Sequence, residues 1–522
     1  MPNDIVFCDE QWICRKIRTM TSIFPLSIFL SLMIFFLSAS ISAQSTKLSK
    51  QQIEQDLEAA TKILNENSSY VYLNGYDFND DFRAYLQNLK DSTNIENFGL
   101  FLTETTGKIG DRHFSVTGYK VDDSMFLPFM FAPLNGKVAV ISINQNKQFE
   151  LAKPQFPYLK KIDGISINDF LAKIYPKDIK APKEAYFTRA VRELCNIERN
   201  YIGLGKSLPK EITLTLTDEH FQKDIDITIK PVNRAARLPR WEEDLTTQYD
   251  AAKDEDFNKP EIIDSLFDLK DNLAYIKIPK MIGIDEAPLL FERLNSFMRT
   301  IKNDSKALII DVRENGGGTR DITYDLAKYL IPPDSVSVVN VTKQRAKLPL
   351  AKEYQDRLHA RRLFNYSELD RDEQKSVTRF MKNFRPMYKL DDKKYSEYYF
   401  GLFNGKKLST PDSYYNKPIY ILANERTFSA ASVFVSVFKG IKNIKIVGVK
   451  TDGSSGNSER FTLPNSKIQL RISTMVSFQK NGKTLDGIGT EPDIKIERDL
   501  NQVLWRSDSQ LEKLRTIILN SK

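Results

Sequence analysis

Apolar residues recur at helix spacing from Ser45 to Leu102: Ile53, Leu57, Ala60, Ile63 and Leu64, then Phe82, Tyr85 and Leu86, then Phe98 and Leu100–Leu102. That period predicts amphipathic helices with one face turned to a core. At Gly107–Tyr119 (G-K-I-G-D-R-H-F-S-V-T-G-Y) glycines give way to alternation, which reads as a turn running into a strand. Residues 44–135 therefore form an N-terminal helical region that carries His113. The period then becomes two. Ile212-Thr-Leu-Thr-Leu-Thr and Asp224-Ile-Asp-Ile-Thr-Ile alternate as half-buried antiparallel strands, and Lys160–Leu171 reads as strand, tight Asp-Gly turn and helix start. Residues 136–232 are thus expected to be a small β-rich module, able in principle to bind an extended peptide by strand addition.

A polar stretch, 233–260, reads as a linker, and 261–500 as the main body. There strand patterns (Asn272–Ile278, Lys306–Arg313, Lys417–Ala423, Ile444–Val449) alternate with helix patterns such as Ala287–Ile301. Alternation of this kind implies an α/β core around a largely parallel sheet. Within it, 343–403 is charged and aromatic and reads as a helical insertion, either a cap over the site or a solvated excursion. Residues 501–522 hold an amphipathic C-terminal helix. At the other end, Arg15, Lys16 and Arg18 precede an apolar run Ile23–Leu37 and then small residues up to Ala43. Basic, apolar and small zones in that order describe a secretory signal peptide over 1–43, so export to a periplasm or beyond is expected, with membrane contact only if the leader stays uncleaved.

Composition narrows the function. The chain has 522 residues with 28% charged and a net charge of +8, and the charges are mixed along the sequence, which argues for a solvated surface rather than a nucleic-acid groove. Two of the three cysteines fall in the leader, leaving Cys195 alone; a disulfide within the chain and a cysteine zinc cluster are excluded. The three histidines, His113, His220 and His359, are scattered without ligand spacing, so neither metal nor cofactor is expected.

The candidate chemistry lies at strand ends. Asn424–Ser432 (N-E-R-T-F-S-A-A-S) joins an apolar strand to an apolar helix, which places Ser429 near the first free N–H groups of that helix. Ser429 reads either as a helix cap or as a nucleophile. Gly316–Gly318 follows a buried strand and can turn backbone N–H groups toward an anion without side-chain obstruction. It lacks the spacing of either common nucleotide-binding loop, whereas an oxyanion hole uses the same geometry. Of the histidines, only His113 sits in a glycine-bearing turn suited to a positioned base.

Several stretches in fixed order resemble the tail-specific, or carboxy-terminal processing, serine protease family: Ala307–Gly318, Asn424–Ser432, Val447–Gly453 and Asp486–Ile494. The string Ile162–Leu171 also resembles part of a PDZ domain. The resemblance implies a crotonase-like ββα-type core, a PDZ-like module, a peptide or protein substrate, and Ser429 as nucleophile. In the bacterial branch a lysine in the loop after the third stretch is the base; here that loop reads Thr451-Asp-Gly-Ser-Ser-Gly, with Ser454 at about the lysine's place as an auxiliary candidate and Lys450 outside the loop. The tricorn-like Ser/His branch takes its base from an N-terminal histidine, which resembles Ile109–Phe114. It implies His113 as base, Asp486 as the acid that orients it (glutamate in that pattern), and the N–H groups of Gly317 and Ala430 as oxyanion donors. Arg112 stands where that branch has a serine before the histidine. The same fold also occurs as an apolar-ligand carrier, so a catalytically silent peptide- or ligand-binding protein is the second expectation.

Overall fold

The computed structural model describes residues 47–120, 124–174, 180–241 and 256–521; the expected signal peptide, and 242–255 of the expected linker, lie outside them. The elements below belong to the unit Leu48–Lys522. Among the described residues no helix is long and apolar enough to cross a membrane.

The central sheet runs, in spatial order, Phe267–Lys270, Leu273–Lys277, Ala307–Asp311, Ile419–Ala423, Ile444–Gly448 and Ile494–Lys495. The first pair is a hairpin closed by Asp271 and Asn272, both left-handed; every later pair is parallel. Ala307–Asp311 is buried at all five residues, as a parallel strand covered on both faces must be. Pro288–Asp304, Asp321–Leu330 and Ala430–Phe438 cover one face through Leu294, Ile301, Leu326 and Phe434. The C-terminal helix Ser509–Asn520 covers the other through Leu514 and Ile518. Because Ala307–Asp311 and Ile419–Ala423 are parallel neighbours, their carboxyl ends deliver the glycine loop and the Ser429 turn side by side, where open α/β sheets place their ligands.

The β-rich module starts earlier than its sequence pattern: its sheet follows the order Asp224–Ile229, Ile212–Thr217, Tyr158–Ile162, Lys137–Ile143 and Met130–Leu134. The Met130–Leu134 strand is buried at every position, so it carries no alternation to read. Asp163 and Gly164 both have positive φ, 45° and 77°, the turn expected between Tyr158–Ile162 and Ile165–Ser166. Helices Ile167–Ile174 and Lys183–Glu193 close this core through Phe170, Ala190 and Val191. Cys195 is buried beside them, and burial pushes its thiol up. His220 is exposed, and His359 bonds Glu368 at 2.8 Å.

The stretch 343–403 is part strand. Phe364–Asn365, Tyr399–Asn404, Val336–Gln344 and Met475–Phe478 form an antiparallel sheet, flanked by helices Lys352–Ala360 and Arg371–Asn383. A free excursion does not describe it. It shares a core with the N-terminal helices, where Ile53, Leu57, Leu64 and Phe98 meet Val341, Val377, Phe400 and Ile472. The reason is geometric: the strand Val336–Gln344 straddles the point where the charged composition begins.

Candidate active site

Ser429 sits at the cap position of Ala430–Phe438, yet its side chain makes no cap hydrogen bond. Its backbone has φ 54° and ψ −125°, a region that costs a non-glycine residue about 1–3 kcal/mol. The neighbours enforce that turn: Thr427 Oγ1 donates to Val312 O (2.9 Å), Phe428 N to Asn315 O (2.9 Å), and Ser429 N to Ser454 Oγ (2.7 Å). So held, Ser429 Oγ stands 3.0 Å from Nε2 of His113, 316 residues away in sequence. His113 is 4% exposed, and its ring packs on Phe428 at 4.8 Å between centroids.

Asp111, which the sequence reading did not single out, anchors the histidine from below. Its carboxylate accepts from His113 N (2.8 Å), Ser473 N (2.6 Å) and Ser473 Oγ (2.6 Å). Asp486 lies nearby, accepting from Tyr70 Oη (2.9 Å) and Ser455 Oγ (2.6 Å) with one oxygen. Its other oxygen and Nδ1 of His113 are both buried without a hydrogen-bond partner among the described residues. Asp111, His113 and Asp486 each bring one ligand-type atom to within 4.8 Å of the others, a spacing that could hold a metal ion. Asp111, however, is already committed to three donors.

Burial is the main cause of the electrostatics here. It pushes Asp486 up to about 7, aided by the negative charge of Asp111. It pushes His113 down to about 3, and the charges of Arg471, Arg112 and Arg189 add to that against Asp452. The imidazole therefore rests neutral, with a lone pair available. Asp452 is itself gripped by Arg112 (3.0 Å) and Arg189 (2.9 Å), which ties the histidine turn, the loop of Ser454 and the module helix Lys183–Glu193 to one carboxylate. A second buried tie runs from that helix, Thr188 Oγ1 donating to Glu425 (2.7 Å), which also pairs with Arg498 at 2.6 Å.

Gly317 presses on the nucleophile: a Cβ there would lie 2.6 Å from Ser429 Cβ and 2.9 Å from Ala430 N. Only glycine permits this approach. Its own N–H is spent on Asn315 Oδ1 (2.8 Å), however, so as an oxyanion donor it is already engaged. Asn315 also donates to Ile278 O at 2.7 Å and so fixes the loop; its place beside the glycines was the available signal. Lys450 points away, paired with Glu491 at 2.6 Å.

A buried serine–histidine pair at a strand-to-helix turn on an α/β sheet is the arrangement of a serine-type hydrolase. Residues 272–496, less than half of the chain, match the pattern of peptidase family S41. Two solved structures share the fold at a TM-score of 0.60: mature CPAF, 18% identical, and mature CPAF complexed with lactacystin, 19% identical. Each comparison covers 90% of this chain and 98% of the other. An uncharacterised protein of Chlamydia muridarum is 27% identical over 121 residues, and a protein of Chlamydia trachomatis serovar D is 29% identical over the same length. The chain spans about a fifth of the length of these two relatives, and 22% of its own.

Proposed function

We propose that the protein is an exported serine endopeptidase working through an acyl-enzyme on Ser429. The observation that carries this is the 3.0 Å approach of His113 Nε2 to Ser429 Oγ at a turn whose strain leaves that oxygen uncapped. His113 takes the hydroxyl proton as Oγ attacks the peptide carbonyl and later returns it to the leaving amine. Asp486 closes on Nδ1 and balances the imidazolium that forms. The N–H of Ala430, first in its helix, faces the developing oxyanion. Since Asn315 holds Gly317, the second donor falls to another N–H of the glycine loop. Each donor contributes about 3 kcal/mol in the transition state. Ser454 serves by fixing the Ser429 turn, and Lys450 takes no part, which favours the Ser/His over the Ser/Lys branch. Secretion rests on the 1–43 pattern alone and is tested by sequencing the mature N-terminus.

A fluorophosphonate probe tests the site directly. Labelling that disappears in Ser429→Ala and is suppressed in His113→Ala supports the pair; an intact folded protein that takes no label would be a binding protein instead.

A further inference from the structure

The strand Gln469–Ser473 is bonded to the histidine segment at two points: Arg471 is in register with Ser115, and Ser473 holds Asp111. Ser473 turns its side chain to the site, so Arg471, two residues away, projects from the same face. Arg471 Nε donates to Ser458 Oγ at 2.8 Å, and Ser458 stands opposite Ser473 in the register. The guanidinium therefore leans along the strand toward His113. Its two terminal nitrogens have no recorded acceptor among the described residues. Directly across the ladder from Arg471 is Arg460, a like charge, which destabilises a strand pair, and no carboxylate lies within 4 Å of either among the described residues. The half-exposed Arg189 lies over Phe428, the residue before Ser429, at 5.4 Å while it holds Asp452. Cationic side chains from two segments thus stand beside the reactive pair, and two of them oppose each other across the ladder, with the charge of Asp111 acting on Arg471 in the other direction.

We infer that the peptide substrate of this site is acidic: carboxylate side chains near the scissile bond dock on Arg471, with Arg460 beside it, and on Arg189. A guanidinium fork with free terminal nitrogens suits a carboxylate in two-point contact. Cations on two separate segments call for more than the single carboxylate that ends a peptide chain, so acidic side chains are favoured over a chain terminus. The inference rests on the peptidase reading and names its substrate class. It also explains why positive charge stands beside a base: the incoming carboxylate neutralises Arg471 and so relieves the pressure that holds His113 down.

The test uses the full-length protein and matched peptides with Glu or Gln around the cleavage point, each as free acid and as C-terminal amide. Cleavage of the Glu peptides is expected to be on the order of tenfold more efficient, as one charged hydrogen bond supplies, chiefly through KM, and to weaken as salt rises. Arg471→Ala should bring the ratio of Glu-peptide to Gln-peptide kcat/KM, measured within that one variant, down to about 1, while the variant still takes the fluorophosphonate label. Arg471→Glu should turn the preference toward Lys peptides. Equal cleavage of Glu and Gln peptides by a protein that labels would overturn the inference and leave the peptidase intact. A preference that follows only the free C-terminus would overturn it in favour of end recognition. Absence of both labelling and cleavage would overturn the peptidase reading itself.

Discussion

Two buried carboxylate clusters lie near the ends of core strands, and they are built in opposite ways. Asp311, the last residue of its strand, accepts from Arg313 N, Nε and one terminal nitrogen at 2.7–3.0 Å and from Tyr275 Oη at 2.9 Å. Arg313 goes on to Asp508 and Gln510 on the C-terminal segment. Burial alone would raise the Asp311 carboxyl, but Arg313 and then Lys277 outweigh it and hold it below the usual range. The cluster around Asp486 is as deeply buried, yet among the described residues it leaves one carboxylate oxygen and one imidazole nitrogen without a hydrogen-bond partner and its carboxyl pushed up to about 7. A satisfied network holds a fold together. One left partly open keeps proton affinities where a reaction can use them, at a standing cost in stability.

The widest separation between the clusters is expected at Ser429. Ser429→Ala should lower turnover by roughly 10⁶-fold with little change in melting temperature. Ser429→Gly should be as inactive but more stable by about 1 kcal/mol, because glycine accepts the positive φ; a calorimetric scan that shows no gain would mean the turn is not strained. Next comes Asp486→Asn, with kcat lower by roughly 10³–10⁴-fold. In the unaltered protein kcat/KM should rise with pH through about 7 as Asp486 ionises, and the mutant's profile should lose that step; a profile that keeps it would reassign the ionisation.

The sign for stability is the reverse. A carboxyl raised from its ordinary value to about 7 binds its proton more tightly in the folded state, so that contribution is lost as pH climbs through this window. His113, pushed down to about 3, contributes the other way, gaining as pH rises from there to the ordinary imidazole value. Urea midpoints against pH should therefore fall between about 6.5 and 7, where Asp486 alone titrates.

At the closed cluster the effect should appear as stability instead. Arg313→Ala removes the main cation beside Asp311, leaving Lys277 at 3.6 Å, and should cost about 3–5 kcal/mol, measured by denaturant unfolding, while the folded fraction still labels at Ser429. The smallest effect is expected at Lys450. Its partner Glu491 is 67% exposed, so Lys450→Ala should cost under about 1 kcal/mol and leave activity unchanged; lost turnover in a folded mutant would bring the Ser/Lys arrangement back.

How much of this was legible depended on how local each signal is. The strand-to-helix turn of Ser429 and the glycine loop could be read because each is one short segment with its own period and turn chemistry. The mixed character of 343–403 could not, since a strand at the boundary hid in apolar context. At the site, the string G-D-R-H contained Asp111 and Arg112 as well as His113, but nothing in it says that Asp111 would hold Ser473 or Arg112 would meet Asp452, 340 residues away.

By itself, then, the sequence determined which residue types could do chemistry and on which local turns they sit, because helix and strand periods and glycine's freedom act over a few residues. Tertiary structure alone decided that His113 reaches Ser429, that Gly317's N–H is already engaged, and that Asp486 stops short of His113 with a free oxygen. Those outcomes depend on how distant segments cross at the carboxyl ends of a parallel sheet, and on water being excluded there.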